Sequence, residues 1–336
     1  MALLRKKDDK KTEQEKVDER REEVLARGRK FKYPLQWTRH RVVINTVLIA
    51  IIVIAILSTS GWLALYRFGM SDEMLYRATR IIPVPVASID GEKVAFSDYL
   101  MFYRSSMTSI ERQSGNVNNQ GNENALRQQY KRAALSEAEE FTYALKLAKE
   151  LDIIVTDEDV SNEFNRHLKI GGVERSEESF LKIVSDNFGL DKGEYERMLY
   201  LTLAKVKVEI AIDEKANKLA ERVEKLLAEK GGDYAAVAES LDGEGIIYEE
   251  TGGMVPNQNI DGGRASEAFK IKPGEQTGRF VSMSGDGYYF VKLVDKTDTE
   301  VNFVSIKIPF TEFNSRINQL RDNDLISEYI TINENE

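Results

Sequence analysis

Residues Val42 to Tyr66 run for 25 positions without a charge, and basic residues crowd the side that precedes them. At about 1.5 Å of rise per residue, a helix of that length reaches roughly 37 Å, enough to cross a hydrocarbon core with some tilt. Its centre, Val47 to Leu57, is almost wholly Val, Ile, Leu and Ala. The polar residues Asn45, Thr46 and Ser58 to Ser60 sit toward its ends, and Trp37, Trp62 and Tyr66 stand where interfacial aromatics belong.

Charge sets the expected orientation. Residues 1–41 hold 14 Lys+Arg against 8 Asp+Glu. Arg27, Arg29, Lys30, Lys32, Arg39 and Arg41 fall in the last stretch before the span, the window that biases topology, whereas Arg67 beyond it is followed by Asp72 and Glu73. The reading is a single-pass anchor at a cell membrane, N-terminus cytoplasmic and C-terminal bulk extracytoplasmic. A cleaved signal peptide predicts an apolar region of about 7–15 residues ending in a small-x-small site, and this run is longer.

Of the chain's formal charge of −9, the part beyond Arg67 carries −16, because residues 1–41 and Arg67 are net basic. So acidic a segment is a poor partner for nucleic acid phosphate, and none is expected. It favours basic segments of a partner. The absence of cysteine excludes disulfides and thiol catalysis, and with only His40 and His167 in the chain no zinc site is expected. There is no phosphate-binding glycine loop, so neither ATP nor another cofactor is expected. Asp242, Glu244, Glu249 and Glu250 lack the calcium-loop pattern and read as a solvated acidic loop.

Along the chain, residues 5–30 are charge-mixed and read as a disordered or loosely helical tail. Residues 68–85 form a linker. Asp90-Gly91, between two short apolar runs, signals a tight hairpin. Ser97 is placed to cap the next helix, whose Phe96, Tyr99, Leu100 and Tyr103 share a face. An Asn/Gly/Gln-rich loop spans Gly115 to Asn124. The stripe Ala134, Ala138, Phe141, Leu145 and Ala148 predicts a long helix from about Ala125 to Leu151. Thr156 with Asp159, Ser176, and Asp191 with Glu194 mark three further helix starts, Gly171-Gly172 breaks the first, and His167 ends a solvated helix. Tyr195, Leu199, Thr202 and Val206 form one face of the third.

From about Asp213 the texture changes. Two helices, to about Glu229 and at Tyr234–Ser240, precede a glycine-rich stretch with β-type runs at Gly278–Met283, Tyr288–Val294 and Val301–Ile308. A last amphipathic helix is read from about Phe310 to Tyr329. The fold class is therefore α+β: a transmembrane helix, a mostly helical domain over 86–212, and a small α+β domain over 213–300. Residues 301–336 are a strand and helix expected to pack back onto Val86–Tyr103.

Two resemblances follow. The Asp90-Gly91-Glu92-Lys93 hairpin leading into Ser97-Asp98-Tyr99-Leu100, the run Leu145 to Val160, and Phe188-Gly189-Leu190 resemble the chaperone domain of SurA/PrsA-type foldases. Asp233 to Ala238, Gly252-Gly253, Glu267 to Glu275 and Gly287 to Leu293 resemble a parvulin-type (PpiC-type) prolyl isomerase domain. Together they cover most of residues 86–300. They imply binding of unfolded or newly translocated polypeptide clients without ATP.

The parvulin resemblance implies positions for a site. The family's second histidine falls on Tyr289. Its first, on the opening strand, matches either Val206–Ile212, where Glu209 stands, or Val301–Ile308, where Ser305 stands. The family's acidic or thiol position maps to Asp242. The proline pocket maps to Ile260, Arg264, Phe269 and Met254, with a charge replacing an aromatic wall at Arg264. With both histidines replaced, the expectation is a module kept for binding clients. One alternative is an isomerase with a substituted site, since isomerisation needs an apolar slot and placed donors rather than a nucleophile. A second is a non-enzymatic surface scaffold for one defined partner.

Overall fold

The computed structural model describes residues 13–114, 123–169, 173–259, 261–282 and 284–332. The loop expected at Gly115–Asn124 lies mostly, and the Gly171-Gly172 break wholly, outside them. The chain divides between Ala64 and Leu65 into two compact units.

The first unit is α1 (Glu13–Trp62), one continuous helix. The charge-mixed residues from Glu13 on, read as a tail, belong to it. They are rich in Glu, Lys and Arg, good helix formers, and pairs such as Arg27–Glu23 at 3.1 Å support the turn-to-turn spacing. Among the described residues one helical stretch, Arg41–Arg67, is long and apolar enough to cross a membrane.

The boundary falls within a π-helical turn, Leu63–Arg67. Leu65 is buried, and Tyr66 donates its hydroxyl to the Pro85 carbonyl at 2.5 Å. The uncharged run thus ends inside a protein core. Helix α2 (Glu73–Ile81) follows, capped by Asp72, which accepts from the Leu75 amide. Arg104 lies 4.4 Å over the Tyr76 ring and pairs with Glu73, fastening α2 to the body.

Strands β1 (Pro85–Ile89) and β2 (Glu92–Ala95) form the hairpin. Asp90 and Gly91 both take positive φ, 48° and 83°, the geometry of a primed turn that matches strand twist. Helix α3 (Phe96–Ser114) starts one residue before Ser97, which sits in its first turn rather than at its cap. Next come α4 (Glu123–Glu150), α5 (Asp157–His167), α6 (Glu177–Phe188) and α7 (Lys192–Ile212). Both arms of the capping boxes at Thr156/Asp159 and Asp191/Glu194 are made, and Ser176 caps α6. Gly189, in the left-handed conformation, closes α6. The α3 and α4 stripes are buried apart from Leu145, which is half-buried. On α7 the burial is broader than one stripe. Leu201, Ala204 and Val208 are buried besides Tyr195 and Leu199, while Thr202 and Val206 are half-buried.

His167 does close α5, but it is not solvated. Its ring bridges the Tyr195 hydroxyl at 2.5 Å and Glu163 at 3.0 Å. Burial opposes the charge of Glu163, yet hydrogen bonds from His167 and Arg166 outweigh it and hold that carboxyl down at about 2.

A second core belongs to α8 (Glu214–Glu229), α9 (Tyr234–Ser240) and an antiparallel sheet. Its strands are β3 (Ile247–Glu250), β4 (Val255–Pro256), β5 (Phe280–Val281), β6 (Gly287–Lys296) and β7 (Glu300–Pro309), with α10 (Arg264–Phe269) between β4 and β5. The order is β3-β7-β6-β5, and β4 also pairs with β7. Because side chains alternate across a strand, β6 and β7 build two layers. Tyr288, Phe290, Ile306 and Ile308 pack on α8 and α9. Val291, Leu293, Val301 and Phe303 pack on α10.

The end of the chain departs from expectation. Val301–Ile308 does not lie on the β1 hairpin; as part of β7 it runs between β3 and β6. Val206–Ile212 is not a strand but the last turns of α7. The final helix, α11, spans only Glu312–Asp322. Asp324 takes φ 55°, and the chain then forms β8 (Ile326–Glu328), which pairs with β1. Phe313, Ile317, Leu320, Ile330 and Ile332 join the core of the first helices.

Candidate functional site

Tyr289 on β6 opposes Lys307 on β7, and its neighbour in the same layer, Val291, opposes Ser305. This register carries polar side chains onto the α10 face of the sheet. Arg264 opens α10 and reaches over them. It donates from Nε to the Asp261 carbonyl at 2.9 Å and from Nη1 to Ser305 Oγ at 3.3 Å, and it pairs with Glu249 of β3. Its guanidinium lies 5.4 Å over the Tyr289 ring.

Lys307 pairs with Asp286 and sits 5.5 Å from the centroid of the same ring. Burial opposes the charge of Asp286, but hydrogen bonds from Lys307, Ser282 and Ser284 hold its carboxyl below the ordinary range. Phe280 stacks on Tyr289 at 6.0 Å, and Gly262 brings its backbone close to the phenol oxygen. Tyr289 ends 3 % exposed and Ser305 1 % exposed. Burial raises the phenol's pKa, so the ring stays neutral.

The fold therefore gathers Tyr289, Arg264 and Ser305 into one network. Phe269 closes α10 half-buried against Val291 and Leu293, with the Lys296 ammonium 5.2 Å over its ring. Met254 stands partly open before β4. Ile260 lies outside the described residues. Asp242 is elsewhere: it lines a separate cavity with Ala235, Ala238 and Tyr248, beside α9 on the far face of the sheet. Glu209 lies on α7 and reaches the edge of the network near Asp286 and Lys307, with which it lines one cavity. The acidic residues of this region are spoken for individually: Glu244 pairs with Arg222, Glu249 with Arg264, and Glu250 accepts from Tyr248. Among the described residues no acidic or histidine group is arranged to hold a metal.

Chemically this face is a closed charge ladder, Glu249–Arg264–Tyr289–Lys307–Asp286. Arg264 and Lys307 give donors to Glu249, Ser305, the Asp261 carbonyl and Asp286, and aromatic and guanidinium planes lie over the phenol. Lys307 and Asp286 were not singled out from the sequence. Only the β6/β7 register, which places Lys307 opposite Tyr289, reveals them.

Apolar surface stays open elsewhere. Leu151, Ile154, Val173, Ile183 and Phe188 are exposed, and all fall between the end of α4 and the end of α6. A family model described as SurA-like N-terminal domain matches residues 35–208, from within α1 to the last turns of α7 and over half of the chain. No curated protein matches.

Proposed function

Because the chain belongs to the family with a SurA-like N-terminal domain, we propose that it is a membrane-tethered, extracytoplasmic foldase-type chaperone. It holds unfolded or newly translocated polypeptides without ATP. The match over residues 35–208 carries this reading. Support comes from the exposed apolar side chains between Leu151 and Phe188, which suit a client's apolar segments, and from the apolar helical stretch Arg41–Arg67.

The second sheet is proposed as a parvulin-like module retained for binding. In this reading β7 stands for the family's opening strand, so Ser305 rather than Glu209 takes the place of its first histidine, and Tyr289 that of its second. The burial of Tyr289 beneath Arg264 and Lys307 favours binding over turnover. Fold and chemistry are separable, so such a module persists without its reaction.

The test uses the full chain in lipid nanodiscs. Near-stoichiometric amounts should suppress aggregation of a chemically unfolded client without nucleotide, while exchange of an X-Pro peptide, followed by NMR, stays at its uncatalysed rate. Unchanged aggregation would sink the chaperone reading. Accelerated exchange that an Arg264→Ala or Tyr289→Phe variant alters would establish the isomerase instead.

A further inference from the structure

A cavity of about 640 Å³ opens between α4, α7 and the loop that enters β6. That is within the roughly 300–1,000 Å³ of ordinary ligand pockets. Four carboxylates line it: Glu137 and Glu140 from α4, Glu209 from α7, and Asp286. Lys205 and Lys307 line it too, but both are engaged. Lys205 donates to Glu140 at 2.7 Å, and Lys307 pairs with Asp286.

That leaves two carboxylates in excess. Glu137 accepts no hydrogen bond from any described residue. Glu209 is 6 % exposed, its side chain accepts no hydrogen bond from any described residue, and its nearest cation among them is the already committed Lys205 ammonium, 4.0 Å away. A carboxylate so deeply buried is costly unless something pairs with it. Phe141, Val206, Pro309 and Phe310 supply apolar wall beside it. The described residues hold no metal-binding arrangement. The complement is a long organic cation with an apolar stem.

We propose that this cavity is a binding site for a basic side chain, arginine or lysine, of a bound polypeptide. The stem lies along Phe141 and Val206, and the charged head lies between Glu137 and Glu209. The inference rests on the chaperone reading for the source of the polypeptide, not for the chemistry of the site.

Protonation links the site to pH. Burial pushes the Glu209 carboxyl up to about 7; Lys205 on its own helix opposes this, and Glu140, Asp286 and Asp213 add to it. Glu137 is open by area yet enclosed by the cavity it lines. The same desolvation, with Glu140 adding to it and Lys205 opposing, lifts it to about 7. Lys307 faces the cavity from β7. A cation must draw both carboxyls into the charged form, so binding releases protons and strengthens as pH rises through about 7.

The experiment uses the full chain in nanodiscs and two unstructured fluorescent peptides, one with a single arginine and its twin with glutamine there. At pH 8 the arginine peptide should bind about tenfold tighter, the scale of a charge-assisted hydrogen bond. The Glu137→Gln/Glu209→Gln double variant should erase that preference, and at pH 6 the wild-type preference should shrink. Glu137→Gln alone carries the test if the change at buried Glu209 disturbs folding.

Equal binding of the two peptides, or a preference that survives the double variant, overturns the site. Equal binding with aggregation still suppressed leaves the chaperone reading standing. Arginine-selective binding without suppression removes the chaperone reading and keeps the site. If neither peptide binds, the site falls, and the aggregation assay decides the chaperone reading by itself.

Discussion

Glu139 sits on α4 with 4 % of its surface exposed, and its Oε1 has no hydrogen-bond partner among the described residues. Burial, with Glu328 adding to it and Arg321 and Arg132 opposing, raises its carboxyl from 4.5 to about 7. An acid held above its unfolded pKa binds a proton in the folded state that the unfolded chain has released. Its contribution to stability therefore falls as pH rises from about 4.5 to about 7, and the cost persists above that. Glu139→Gln removes the titration. The variant should be more stable than wild type by about 2 kcal/mol at pH 8. Thermal melts should show the gap closing by about pH 4.5, the lower end of that titration. A gap independent of pH would show that the gain is not electrostatic. Glu163 has the opposite sign: held down at about 2, it stabilises above the ordinary carboxylate range and loses that contribution as pH falls toward 2. Neither behaviour is legible in the sequence, where Glu139 and Glu163 look like any helical glutamate.

Helices here are fixed largely by their ends, and one carboxylate fixes two of them. Asp213, 2 % exposed, accepts the Ala216 amide at 2.9 Å on Oδ1, capping α8. On Oδ2 it accepts the Thr311 and Glu312 amides at 2.7 and 3.1 Å, at the start of α11. Local pattern announces the first cap; the second joins residues almost a hundred positions apart. Asp213→Ala should cost about 2–4 kcal/mol, two caps with a charged acceptor removed from a buried place. Chemical denaturation measures it, and Asp213→Asn should recover part of the loss. A loss of well under 1 kcal/mol would deny the shared cap. The capping boxes at Thr156 and Asp191 and the Asp90-Gly91 turn were readable in advance, because each depends on residues within a few positions of one another. The end of α11 was not. An amphipathic pattern continues past Asp322, but pairing of Ile326–Glu328 with β1 outcompetes it.

Across the chain, charge asymmetry and the uncharged run argue one orientation. A single cysteine placed at Glu19 in this cysteine-free protein should resist an impermeant thiol reagent in intact cells. One placed at Glu239, an exposed position on α9, should react. The reverse pattern, or labelling of both, would overturn the proposed topology. The second unit is bound together by the crossing of its last segment. β7 completes the glycine-rich sheet, and α11 and β8 then return to the first core, so that core is built from two separate stretches of the chain with the second core between them.

The sequence alone carried what depends on neighbours along the chain: the apolar run, its flanking charge, the tight hairpin, most helix starts, and the buried faces of α3 and α4. These follow from backbone geometry and from hydrophobic periods that any short window reveals. Tertiary structure decided what depends on register and return. It placed β7 rather than the end of α7 in the sheet, set Lys307 and Arg264 over Tyr289, separated Asp242 from them, and turned Glu209 into a cavity between elements. Those outcomes rest on contacts between residues far apart in the chain, whose energies depend on burial and distance, and no local pattern encodes either.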